Sequence, residues 1–251
     1  MEFSAEILSI LFFVGILAGI IDTIAGGGGL ITIPALLFTG MPPATALATN
    51  KLQSVFGTFT ASLYFIRKKI INLKDMKLMI IIAFCSSILG GWALLKIDSS
   101  SLIKIVPILL ILIGIFFLLS KDIGKIEKHK IISTLSFTFI FVVIISFYDG
   151  FFGPGTGSFF TIAFIYLLGN NILQATAQTK ILNFATNLGS LLIFSFLGEI
   201  YLLVGLVMGL GQIIGATIGA KLVISKGQKL IRPLVVIISF AMSFKLLFYS
   251  E

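Results

Sequence analysis

D-T-I-A-G-G-G-G-L-I-T-I-P-A-L-L-F-T-G-M-P-P-A-T-A-L-A-T-N-K, running from Asp22 to Lys51, is the stretch that decides the fold. An acid, four consecutive glycines (Gly26, Gly27, Gly28, Gly29), threonines, an asparagine and a lysine sit here inside apolar sequence. Each glycine costs roughly 1 kcal/mol against alanine in a helix interior. A helix arriving from Ile7 is therefore expected to break at the glycines and to restart near Leu30. In hydrocarbon, broken backbone is tolerated only where protein buries it or where it lines a cavity. A glycine break leading into a helix also leaves unpaired N–H groups at a positive helix end, which suits an anion. The stretch reads as half of an anion site within a membrane.

Composition supports that setting. Apolar residues make up 58% of the chain and charged residues 11%, against about 25% charged in a soluble domain. Repeated apolar runs, each long enough for a hydrocarbon core of about 30 Å, describe an all-α polytopic membrane protein. The net charge of +8 does not point to nucleic acid, because the basic residues gather between the apolar runs, as the positive-inside bias produces. Cys85 is the single cysteine, so no intrachain disulfide forms, and His129 is the single histidine. With no His/Cys metal cluster, nucleophile–base pair or phosphate-binding loop visible, neither an enzyme nor a cofactor is expected. Met1–Glu6 is acidic and no small-residue cleavage site follows, so the first apolar segment is expected to stay in the mature protein.

The apolar segments fall at Ile7–Ile24, a short piece Leu30–Phe38, Ala44–Phe65, Leu78–Leu95 and Leu102–Leu119. After a polar linker they resume at Ile131–Phe147, a short piece Phe159–Leu168, Ala175–Phe196, Ile200–Leu222 and Leu234–Phe248. The series repeats itself. Asp22 and Gly26 match Asp149 and Gly153 at an offset of 127, while Gly40 matches Gly169, Ala46–Lys51 (A-L-A-T-N-K) matches Ala175–Lys180 (A-T-A-Q-T-K) and Gly90 matches Gly219 at 129. Two residues inserted beside the second break explain the difference. The expected organisation is a first repeat over 1–120, a cytoplasmic linker over 121–130 and a second repeat over 131–251. Each repeat holds a broken, re-entrant helix hairpin and three transmembrane helices.

Charge then orients the repeats. If each short piece returns to the side it came from, each repeat crosses an odd number of times and the two are inverted. Loops Arg67–Lys77, Lys121–Lys130 and Lys221–Arg232 then share one face and carry most of the 18 basic residues. Glu2, Glu6, Asp98, Glu199 and Glu251 fall on the other. Eight full spans would put Lys221–Arg232 outside, against the bias. The inverted arrangement is preferred, with the basic face cytoplasmic.

Under that arrangement Lys51 and Lys180 both approach the midplane from opposite faces. A lone lysine near a helix end commonly snorkels to the interface; two at matching repeat positions argue for a role. A buried charge needs a partner, and Asp22, Asp149 and a bound anion are the candidates. The two aspartates serve as ion-pair or coupling groups, or cap the broken backbone. The expected substrate site combines Gly26–Gly29, Thr49, Asn50 and Lys51 with Gly153, Gly155, Thr156, Gly157, Gln178, Thr179, Lys180 and Asn183. Asn183 and Asn187, four apart, share a helix face. Gly205, Gly209, Gly211, Gly215 and Gly219 read as close helix packing, as do Ser86 and Gly90, and the many phenylalanines read as lipid-facing bulk.

A-G-G-G-G-L-I-T-I-P with A-T-N-K, and Y-D-G-F-F-G-P-G-T-G-S-F-F with A-Q-T-K, resemble the TauE/SafE sulfite-exporter family, also called the toluenesulfonate uptake permease family. The likeness covers nearly the whole chain, and the second-half motif is closest to the YfcA-like branch. The resemblance implies a multi-pass secondary transporter of sulfur-containing or organic anions in a bacterial-type inner membrane. One departure stands out: Pro34 follows the first break, but Phe159–Leu168 has no proline, so the second hairpin is expected to differ in shape. An anion channel would use similar residues without alternating access, and a membrane scaffold is the third reading. The partners expected are a small anion and membrane lipids, with a coupling proton or cation and a homo-oligomer both compatible.

Overall fold

A computed structural model describes residues 3–119 and 129–226. The segment at Leu234–Phe248, Lys229, Arg232 and all of the linker before His129 lie outside these residues. The described chain forms α1 (Ala5–Ala25), α2 (Gly29–Phe38), α3 (Pro43–Arg67), a 3₁₀ turn (Leu73–Met76) leading into α4 (Lys77–Leu94), and α5 (Ser99–Leu119). The second half supplies α6 (Thr134–Phe151), α7 (Thr156–Leu168), α8 (Ile172–Leu197) and α9 (Leu202–Lys226). Among the described residues five helices are long and apolar enough to cross a membrane: α1, the 3₁₀ turn with α4, α6, α8 and α9. α3 has the length, at 25 residues, but its composition is diluted by the polar residues of the site.

The breaks form where glycine is needed and nowhere wider. α1 stops because Gly26 takes φ 74°, and its N–H closes on the Asp22 carbonyl. That left-handed turn costs an ordinary residue about 1–2 kcal/mol. Gly28 keeps helical angles and Gly29 already begins α2, so the first break spans only Gly26 to Gly28. In the second half the helix runs on past Asp149 to Phe151, beyond the expected end at Phe147. The turn is then made by Gly153 (φ 104°) and Gly155 (φ 82°). α2, with Pro34 inside it, has 10 residues, and α7 has 13; the two hairpins differ in length, as the missing proline suggested.

Long-range packing follows a paired pattern. α1 lies chiefly against α9 and α6 against α4; α3 packs on α9 and α8 on α4; α3 and α8 meet each other at the centre. The glycines make the outer pairs close. A Cβ on Gly211 or Gly215 would lie 2.3 Å from the Phe12 carbonyl oxygen or 2.1 Å from that of Ile16. Gly90 meets the Phe147 carbonyl and Gly219 the Ile20 carbonyl, contacts at matching repeat positions. Small residues let backbones approach in this way.

Large apolar side chains face outward: Ile10 and Phe13 on α1, Ile81 on α4, Ile144 on α6 and Phe196 on α8 are exposed. Threonine, asparagine and lysine side chains of α3 and α8 are buried. A polar interior inside an apolar exterior suits lipid as solvent, and the chain is a multi-pass integral membrane protein. The phenylalanines divide, however. Phe65, Phe137, Phe160, Phe164 and Phe194 are fully buried and fill the core instead of facing lipid.

Candidate functional site

Lys51 and Lys180 are each the ninth residue of their helices, α3 and α8. Both are 1% exposed, so neither side chain reaches back along its helix. Lys51 Nζ lies 2.7 Å from Asp149 Oδ1 and also donates to the Asp149 carbonyl. Lys180 Nζ lies 2.8 Å from Asp22 Oδ2 and also donates to the Asp22 carbonyl. Each lysine is thus held by the carboxylate and main chain of the opposite half. The carbonyls belong to the last turns of α1 and α6, where they carry the negative end of the helix dipole.

The glycine breaks meet at the same place. A Cβ on Gly26 would lie 2.4 Å from the main chain of Gly157, and one on Gly157 2.5 Å from Gly26 Cα. Ser158 donates from its hydroxyl to the Ala25 carbonyl across this crossing. A Cβ on Gly153 would come 2.7 Å from Lys51 Nζ. Gly28 donates its N–H to Asp22 Oδ1 at 3.3 Å, so Asp22 both caps the break and pairs with lysine. Gly155, left-handed, precedes α7, and Thr156 Oγ1 turns back to the Gly153 carbonyl at 2.6 Å.

Around this centre the halves repeat their bonds. Thr32 donates its hydroxyl to the Gly28 carbonyl and to Asn50 Oδ1. Thr161, 129 positions later, bonds the Gly157 carbonyl and lies 3.1 Å from the hydroxyl of Thr179. Thr32 and Thr161 were not among the expected site residues. Their positions, four residues past Gly28 and Gly157, are a readable signal, since a threonine there bonds back to the preceding turn. Thr186 was missed too, and its hydroxyl donates to Asp149 Oδ2. Asn183 lies beside Gly157, and its buried Oδ1 has no hydrogen-bond partner among the described residues.

Thr49 and Gln178 are not brought to the centre. Thr49 Oγ1 accepts the Tyr201 N–H at 3.1 Å, at the start of α9. Phe3 packs edge-on to the Tyr201 ring there, and Met41 and Met208 are buried in the same cluster. Gln178 lines a cavity of about 750 Å³ at the other end, together with Asn170, Asn72, Lys69, Lys130 and Met79. The cavity joins the end of α3 to the start of α8, so these helices run antiparallel. It also places the Arg67–Lys77 loop and Lys130 at one end of the bundle.

The family described as "Sulfite exporter TauE/SafE" matches residues 11–246. The "Probable membrane transporter protein YfcA" of Escherichia coli (strain K12) is 49% identical over 248 residues, covering 99% of this chain and 92% of that protein. A "Probable membrane transporter protein" of Haemophilus influenzae is 48% identical, covering 99% of this chain and 97% of its own. The "Probable membrane transporter protein YunE" of Bacillus subtilis (strain 168) is 25% identical over 238 residues. No solved structure matches the chain.

Proposed function

We propose, from the premise that this chain belongs to the sulfite exporter TauE/SafE family, that it is a secondary transporter of small sulfur-containing or organic anions. The observation that carries the reading is the central one: two buried lysines, each tied to the opposite half, at the point where two glycine breaks cross. An anion in a low-dielectric interior needs charge and N–H donors. The lysines supply the first, and the break at Gly26–Gly29 with Gly153–Gly157 supplies the second. Asn50, Thr179 and Asn183 complete the polar wall.

Alternating access, rather than a channel, is supported by a comparison of the two ends. Tyr201 and Thr49 are bonded at one end. Their repeat equivalents, Asn72 and Gln178, both line the open cavity at the other. Equivalent positions closed at one end and open at the other are what a two-state carrier built from inverted repeats presents. The open end carries Lys69 and Lys130 and is assigned to the cytoplasm by the positive-inside bias, in a bacterial-type inner membrane.

Single cysteines at Lys74, Lys125 and Lys229, with Cys85 replaced, are expected to react with an impermeant reagent from the cytoplasm only. Labelling of the Lys229 site from outside removes the inverted arrangement. A thermal-shift screen of purified protein against sulfite, sulfate, thiosulfate, taurine and small sulfonates tests the substrate class. Stabilisation by binding follows ligand concentration over Kd; no shift with any of these anions counts against the reading.

A further inference from the structure

The two ion pairs are not equal, and the difference falls on the acids. Asp149 is 3% exposed and receives the Thr186 hydroxyl in addition to Lys51. The residue 129 positions before Thr186 is Gly57, which offers no hydroxyl. In its place the Gln212 side chain of α9 fills the notch. Among the described residues the Asp22 carboxylate accordingly has, besides Lys180, only the 3.3 Å bond from Gly28 N–H, and its side chain is 20% exposed. The Asp149 carboxylate is thus fixed by two side-chain donors, and that of Asp22 by one side-chain donor and a long main-chain N–H.

The charge of the site matters next. Lys180 with Asp22 is neutral, and so is Lys51 with Asp149. An anion arriving between them brings an uncompensated charge into a low-dielectric centre, which is strongly unfavourable. Adding a proton to Asp22 removes that penalty: the carboxylate becomes a neutral acid and the ammonium of Lys180 becomes the anion's counterion. Among the described residues no other charged group competes at Asp22. α2 and α7 carry none; α9 carries Lys221, which is exposed, and Lys226 beyond it; Lys51 of α3 is held by Asp149.

We propose that Asp22 is the coupling acid of this protein: it takes up one proton as an anion binds at Lys180, and Asp149 stays ionised on Lys51. This rests on the anion-transporter reading and adds the coupling ion to it. The balance is simple. One proton and one monovalent anion enter together, the Lys180–Asp22 pair opens, and no net charge crosses. Transport of a monovalent anion then follows the pH gradient and not the membrane potential.

The test is titration calorimetry of the full chain in detergent with methanesulfonate and benzenesulfonate, which stay ionised throughout. Running each in buffers of different ionisation enthalpy gives the protons taken up per anion. The expected result is about one proton per anion, with affinity falling about tenfold per pH unit on the alkaline side. Asp22→Asn mimics the protonated acid, so it is expected to bind without proton uptake and without pH dependence. Binding by the unmodified chain with no proton uptake overturns the proposal, as does an unchanged count in Asp22→Asn. Absence of binding by the unmodified chain overturns the transporter reading itself, and the coupling proposal with it.

Discussion

Lys51→Met and Lys180→Met are each expected to weaken anion binding by roughly 10- to 100-fold, the worth of one hydrogen bond to a charged group. Methionine keeps the length and the apolar stem and removes only the ammonium. The two variants will differ in stability. Lys51→Met leaves the carboxylate of Asp149 buried without its partner, and removing one member of a buried pair costs about 3–5 kcal/mol. Lys180→Met leaves Asp22, whose side chain is 20% exposed, so water offsets part of that loss. The double variant Lys51→Met/Asp149→Asn is expected to recover most of the stability and none of the binding. Affinity by calorimetry and thermal unfolding in detergent, measured on all three, separate the roles. If the double variant binds normally, Lys51 serves only to neutralise its acid, and Lys180 holds the anion alone.

Gly26→Ala is expected to be strongly destabilising for a change of one methyl group. Its Cβ would lie 2.4 Å from the main chain of Gly157, and its φ of 74° is left-handed. Neither neighbour is the end of a flexible side chain, so relief requires one hairpin to move off the other. Overpacking of this kind costs about 1–3 kcal/mol and the left-handed turn about 1–2 kcal/mol more. Gly157→Ala meets the same crossing, 2.5 Å from Gly26 Cα, but lies in the helical first turn of α7 and escapes the second cost. The expected order of thermal stability is therefore unmodified chain, then Gly157→Ala, then Gly26→Ala. Equal stability of Gly26→Ala and the unmodified chain would mean that the two breaks do not touch.

Much of the geometry around the candidate site was legible because its signals are local. Four glycines break a helix wherever they occur, and Gly26 with its left-handed turn does so here. The repeat from Asp22 and Lys51 to Asp149 and Lys180 is plain in the residues themselves, and the apolar runs give helices whose ends shift by only a few residues. Thr186 was less accessible. Its importance depends on Asp149 lying opposite it, 37 positions away, and a threonine in a membrane helix more often bonds its own preceding turn. Thr49 and Gln178 flank the lysines in sequence, yet they serve opposite ends of the bundle. Two residues along a helix turn a side chain about 200° round the axis, which took both away from the centre.

What the sequence determined by itself is the class, the break points, and the presence of two acids and two lysines that must be neutralised in an apolar interior. It did not determine which acid neutralises which lysine. Pairing within each half, Lys51 with Asp22 and Lys180 with Asp149, obeys the repeat as well as the crossed pairing does. The tertiary structure chose the crossed one, joining residues 98 and 158 positions apart. The physical reason lies in the packing. α3 and α8 meet at the centre, and the hairpins cross glycine on glycine, so each lysine arrives at the final turn of the other half's broken helix. There it finds a carboxylate and a main-chain carbonyl together, an arrangement that no spacing along the chain can specify.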